Sequence, residues 1–157
     1  MRVLWISAVL AFVADQISKY LVIHVLQVSP FNSIDVFPPL VRFIYGENRG
    51  INFGLGYGIP VWLLVSIAAL ICVAVVWWVT RHPQSRLAYL SAGLLVGGAL
   101  ANVLDRLIFG YVQDFLNMSC CGIDNPFVFN VADIFIFAGA FGLVFFAQEG
   151  KGRKKGA

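Results

Sequence analysis

The chain has 157 residues, of which 60% are hydrophobic and only 12% charged, and its formal net charge is +3. Soluble domains carry about 25% charged residues, so this composition excludes a disordered chain, a nucleic-acid-binding domain and an ordinary soluble enzyme. With a mean hydropathy of +0.84, it indicates an integral membrane protein.

Four apolar stretches lie near Val3–Leu26, Ile59–Val79, Leu87–Ile108 and Val128–Phe146. Each is long enough to cross a hydrocarbon core of about 30 Å, which takes roughly 20 helical residues. The first reads as a retained span, because it lacks a small-residue cleavage site and is interrupted by Asp15, Gln16 and Lys19. Between Pro38-Pro39 and Gly58, the run Val41-Arg42-Phe43-Ile44-Tyr45 alternates, and Gly50, Gly54 and Gly56 punctuate the segment after it. The expected fold is therefore an all-α membrane protein of four transmembrane helices with a small extracytoplasmic β-element, a single domain over residues 1–157.

Orientation follows from the cations. Arg2, Arg81, Arg86, Lys151, Arg153, Lys154 and Lys155 fall on one side, and Arg42 and Arg49 on the other. This predicts cytoplasmic termini and a basic tail, Glu149–Ala157, lying against anionic lipid.

A charge at the bilayer centre costs at least about 2.5–3.5 kcal/mol, so the intramembrane polar residues carry information. Asp15, Lys19, Asp105, Arg106 and Asp133 lie within the spans and Asp114 just beyond one. Together with Asn48, Asn102 and Asn130 they converge on one depth near the outer leaflet, whereas the inner halves of the same helices carry almost nothing polar. Asp15, Ser18 and Lys19 share a helical face, which gives Asp15 a cation and predicts a pair that holds the first helix in register. Asn102 with Asp105 and Asn130 with Asp133 share two more faces. Asp105 beside Arg106 reads as a structural or substrate-orienting network.

Asp114 and Asp133 have no cation within four residues. Two carboxylates close together in a poorly hydrated site share one proton; the charged member can take a proton from water while the neutral member donates one to a carbonyl oxygen. Acids in membranes also serve ion pathways and helix packing, so spacing alone leaves those readings open. Other constellations fail. Ser18 and Lys19 diverge by about 100° on a helix, and His24 and His82 lie at opposite ends of spans. The three cysteines contain no C-x-x-C pair, so no metal and no cofactor is expected. Cys72 reads as a small apolar residue, and Cys120-Cys121 lies in an outer loop. Gly93-x-x-x-Gly97 and Gly97-x-x-x-Ala101 predict a close helix seam, and Trp77-Trp78 an interfacial belt.

Five blocks in order carry a family resemblance. Asp15-Gln16-Ile17-Ser18-Lys19 resembles the D-Q-x-S/T-K signature of lipoprotein signal peptidases, also called signal peptidase II. It is followed by Asn48-Arg49-Gly50-Ile51-Asn52-Phe53 and by the run from Gly97-Gly98-Ala99 through Asn102-Val103-Leu104-Asp105-Arg106. Val112-Gln113-Asp114-Phe115 and Phe129-Asn130-Val131-Ala132-Asp133 complete the set. The resemblance implies a metal-free aspartic endopeptidase of the bacterial inner membrane that cuts a prolipoprotein just before its diacylglyceryl-modified Cys. Its substrate and membrane lipid would be the partners, with no obligate protein partner. It further implies Asp114 and Asp133 as the catalytic pair, with Asp15, Lys19, Asn48, Asn102, Asp105, Arg106 and Asn130 lining or bracing the site. Asn52 stands where a small residue is expected before Phe53, and Asn117–Pro126, with Cys120-Cys121, has no counterpart among the motifs.

Two rivals differ in class. A small proton-coupled transporter using Asp15 or Asp133 requires polar residues along a path to both faces. A non-catalytic membrane scaffold leaves four acids in one stratum without a purpose.

Overall fold

A computed structural model describes residues 1–50, 58–119 and 125–147. The expectations at Asn52, Gly54, Gly56, Cys120, Cys121 and the tail Glu149–Ala157 lie outside the described residues.

Among the described residues, four helices and one small sheet make the fold. Helix α1 (Arg2–Lys19) runs on into a π-helical segment, Tyr20–Val25. Strands β1 (Ile34–Phe37) and β2 (Val41–Asn48) come next, then α2 (Val61–Arg81), α3 (Arg86–Phe109), β3 (Val112–Met118) and α4 (Val131–Phe146). The strands form an antiparallel sheet in the order β1-β2-β3. Local chemistry sets the ends of α3. Ser85 Oγ accepts the Ala88 amide at its start, and Gly110, at φ 82°, stops it in the left-handed conformation that lacks a Cβ penalty.

Helix α3 is the axis of the bundle, with α1, α2 and α4 each packed against it. The Gly93–Gly97 seam faces α1 as the sequence predicts: a Cβ at Gly97 would strike the Ala8 carbonyl. One step around the helix, a Cβ at Gly98 would lie 2.6 Å from the Ala132 carbonyl oxygen, so this glycine sets how closely α4 approaches α3. Leu4, Val79 and Ala92 pack together at one end of the bundle, and Cys72, Leu95, Val96 and Ala99 in the middle. Val22, Val28 and Phe115 pack where the helices meet the sheet. Outward-facing positions are strongly apolar, among them Leu10, Trp62, Leu70, Val73, Val144 and Phe145. Hydrophobic side chains covering the outside of a helix bundle suit lipid as solvent.

Three of the expected spans stand, at Arg2–Val25, Val61–Arg81 and Arg86–Phe109. The fourth is shorter than the sequence predicts: α4 begins at Val131 and has 16 residues, about 24 Å of helix. Val128, Phe129 and Asn130 are extended instead, with Phe129 bridging antiparallel to Leu116. The sheet is also larger than the alternating run at Val41–Tyr45, because β3 pairs with β2 through contacts such as Asn48 with Val112 and Gly46 with Asp114. Asp114 thus stands on a strand.

Candidate active site

The start of α4 builds the first half of the site. Asn130 is its N-cap, in extended conformation, and forms a reciprocal capping box with Asp133. Asn130 Oδ1 accepts the Asp133 amide at 2.9 Å while Asp133 Oδ2 accepts the Asn130 amide at 3.3 Å. Two orphan donors of the helix are satisfied in this way, and the negative carboxylate sits at the positive end of the helix. Asp133 Oδ1 also accepts Asn102 Nδ2 at 3.0 Å.

Strand β3 supplies the second half. Asn130 Nδ2 donates to Asp114 Oδ1 at 2.6 Å and to Asn102 Oδ1 at 3.1 Å, so Asn130 holds the Asp114 carboxylate with its side chain and the Asp133 carboxylate with its main-chain amide. Asn48 on β2 hydrogen-bonds Asp114 as well. Burial first, and the negative charge of Asp133 second, push the Asp114 carboxyl up to about 7, against the lowering effect of Asn130, Asn48 and the Lys19 charge. Near neutral pH such a pair can hold one proton between two acids. That is the protonation state acid–base hydrolysis needs.

Lys19 organises the third layer. Its Nζ lies 2.7 Å from Asp15 Oδ2, 2.7 Å from Asp105 Oδ2 and 3.4 Å from Asn102 Oδ1, so all three ammonium donors find acceptors. The Asp15–Lys19 pairing follows the one-turn spacing. The partner of Asp105 does not: it pairs with Lys19, and neighbouring Arg106 turns elsewhere, because adjacent helical residues point about 100° apart. Arg106 instead donates to the Gly50 carbonyl at 2.8 Å and to the Asn102 carbonyl at 3.4 Å, and its charge is felt by Asp133, Asp114 and Asp105.

The structure therefore gathers Asp15, Lys19, Asn48, Asn102, Asp105, Arg106, Asp114, Asn130 and Asp133 into one connected cluster. Asp15, Asp105, Asp114 and Asp133 are 0, 1, 2 and 3% exposed; none of the four is a solvated surface acid. Sequence reasoning misses two participants. Gln16 Nε2 bridges Asp15 Oδ2 and Asp105 Oδ1 at 3.3 and 3.1 Å, and the Gln113 amide donates to Asp105 Oδ2 at 3.1 Å. Their only signal is membership of the same motif blocks. His24 packs beside Tyr20 with the rings tilted and lines a cavity together with Tyr45, Glu47 and Gln113. Among the described residues no three His, Cys, Asp or Glu side chains gather as a metal-binding set.

Comparison with known proteins places the chain in a family. A family model described as signal peptidase (SPase) II matches residues 7–148. The lipoprotein signal peptidase of Alteromonas mediterranea is 41% identical over 144 residues, covering 89% of this chain and 76% of the relative. That of Chlorobaculum tepidum is 33% identical over 157 residues, covering 95% and 96%. A solved structure described as a bacterial membrane enzyme superposes with a TM-score of 0.78 at 27% identity, over 89% of this chain and 84% of the other.

Proposed function

The chain belongs to the signal peptidase II family, and on that premise we propose that it is a membrane-embedded lipoprotein signal peptidase whose catalytic pair is Asp114 and Asp133. It is a multi-pass protein of the bacterial inner membrane, here read as one peptidase domain. The observation that carries the catalytic assignment is the Asn130 side chain, bonded to Asp114 on one side and locked to Asp133 by the capping box on the other.

The mechanism uses the shared proton. Asp114, pushed up to about 7, carries it and donates to the carbonyl oxygen of the scissile bond. Asp133, held at the α4 N-terminus, takes a proton from water as the water attacks. The tetrahedral intermediate forms among buried amide donors and the Arg106 guanidinium, where water exclusion strengthens each electrostatic contact. It collapses with the C–N bond breaking as Asp133 passes its proton to the leaving amine and Asp114 takes back the hydroxyl proton. The substrate that suits such a site is an apolar signal helix ending at a diacylglyceryl-modified Cys, because the lipid anchors the scissile bond at a fixed depth.

The cation distribution supports cytoplasmic termini and a site near the outer leaflet. In that orientation the buried polar side chains cluster at the outer end. Toward the inner end Ser7 and Ser91 bond to the helix carbonyls of Val3, Leu4 and Leu87. Among the described residues this leaves no chain of acids toward the inner face, which disfavours a proton-coupled transporter.

The purified protein should cleave a diacylglyceryl-modified prolipoprotein peptide and leave its unlipidated version intact. Cleavage of neither, or of both at equal rates, contradicts the reading. A reporter fused after Lys155 should be active only in the cytoplasm and one inserted near Asn32 only outside; the reverse labelling contradicts the orientation.

A further inference from the structure

Both carboxylates that flank Lys19 spend an oxygen on a backbone amide, and the two amides share a position relative to the catalytic pair. Asp15 Oδ1, from α1, accepts the amide of Ala132 at 2.8 Å; Ala132 immediately precedes Asp133. Asp105 Oδ2, from α3, accepts the amide of Gln113 at 3.1 Å; Gln113 immediately precedes Asp114. The Lys19 ammonium stands 2.7 Å from each carboxylate, and Gln16 bonds to both. One cation therefore joins two arms, and each arm grips the main chain one residue before a catalytic aspartate.

From this geometry we propose that Lys19, Asp15 and Asp105 are positioning residues that set the separation and aim of Asp114 and Asp133 through the Gln113 and Ala132 amides. The proposal rests on the reading of Asp114 and Asp133 as the catalytic pair.

A buried ion cluster kept only for stability is a poor alternative. Replacing such clusters by apolar side chains is often neutral or stabilising, and close packing of α1 on α3 without charged groups is already present at Gly93 and Gly97. The two catalytic groups come from different elements, β3 and α4, which already meet through the Phe129–Leu116 bridge and the Asn130 side chain. A second link, through the helices beneath, reaches the main chain before each acid. The Asp15–Lys19–Asp105 arrangement is such a link, and its charges keep the two arms at hydrogen-bond length from a single centre. A side chain that displaces reacting groups by about 1 Å costs on the order of 100-fold in rate without touching substrate.

The experiment compares Asp15→Asn, Asp15→Ala, Asp105→Asn and Asp105→Ala with the parent full-length protein, and with Asp114→Asn and Asp133→Asn as controls. Three readouts are taken on each: single-turnover cleavage of a lipidated peptide, Kd for a lipidated peptide with an uncleavable bond, and Tm in detergent. Asparagine retains an oxygen for the amide and alanine does not. The expected result is a cleavage rate at least about 30-fold lower for each Ala variant, with Kd within about 3-fold of the parent. The matching Asn variant keeps an oxygen for the amide but loses the charge that faces Lys19, so its rate should fall less than that of the Ala variant, by no more than about 10-fold. Equal rates for Asn and Ala at either position, or a rate loss matched by an equal loss in Kd, overturns the proposal. If an Ala variant does not fold, its Asn partner decides. A folded Asn variant within about 10-fold of the parent rate supports the amide grip, and one as slow as about 30-fold below the parent overturns it. The controls separate the two readings: Asp114→Asn or Asp133→Asn retaining the parent rate ends the catalytic assignment itself, whereas inactive controls beside fully active Ala variants end only the positioning claim.

Discussion

Asn130 Nδ2 lies 2.6 Å from Asp114 Oδ1, joining the cap of α4 to the edge strand of the sheet. The same side chain caps the helix through the Asp133 amide, so one residue serves both helix stability and the spacing of the acids. Asn130→Ala should cost about 1 kcal/mol in stability from the lost cap. Its cleavage rate should fall much further, on the order of 100-fold, because Asp114 loses the side-chain donor that ties it to the start of α4, where Asp133 stands. Tm and turnover measured on the same preparation check both numbers; a rate loss no larger than the modest stability change would detach Asn130 from the chemistry.

The raised Asp114 carboxyl makes a pH-dependent prediction about stability. Its ordinary value is 3.8 and in the fold it is pushed up to about 7. The folded state therefore binds a proton that the unfolded state has released, and stability falls as pH rises from about 4 to 7. Above that range the cost is fully present, about 4 kcal/mol. Asp114→Asn removes the buried charge, so it should raise Tm at pH 8, and the gain should shrink toward zero as pH is lowered to 4. In the parent, cleavage should decline as pH rises above about 7, because Asp114 no longer carries the proton it donates. A Tm gain for Asp114→Asn that is the same at pH 4 and pH 8 would contradict this account.

Lys19 faces two buried carboxylates rather than one, and this changes what its removal does. Lys19→Met should destabilise the protein by about 3–5 kcal/mol, the usual consequence of leaving buried charge unpaired. Adding Asp15→Asn restores only part of this, since Asp105 remains without its cation. The triple variant Asp15→Asn, Lys19→Met, Asp105→Asn should recover most of it. Thermal unfolding of the four proteins in one detergent is the check. A double variant as stable as the parent would mean that Asp105 does not depend on Lys19.

Much of this was legible in the sequence because it depends on local spacing. The partners in the Asp15–Lys19 pair, the Asn130–Asp133 face and the Gly93–Gly97 seam lie at most four positions apart, and helical periodicity gives their geometry directly. The residues that converge at the site were also readable, because charges within apolar spans need a reason. What the sequence did not carry was contact between distant segments. Nothing local tells Asp105 to choose Lys19 over its neighbour Arg106, or brings Arg106 to the Gly50 carbonyl. The strand at Val112–Met118 was equally hidden: its pattern is short, and its partner β2 lies before two intervening helices. The late start of α4 has a local cause, the Asn130 cap, yet the apolar Val128 and Phe129 beside it masked the boundary.

The central claim is that Asp114 and Asp133 together perform the cleavage, and the most direct measurement is turnover of a lipidated prolipoprotein peptide by Asp114→Asn and by Asp133→Asn, each verified as folded by its Tm. An amide at either position can neither accept the proton of water nor cycle one to the carbonyl oxygen, so each variant should lose at least about a thousandfold in rate while remaining folded and able to bind the peptide. Turnover near the parent rate by either folded variant would contradict the assignment.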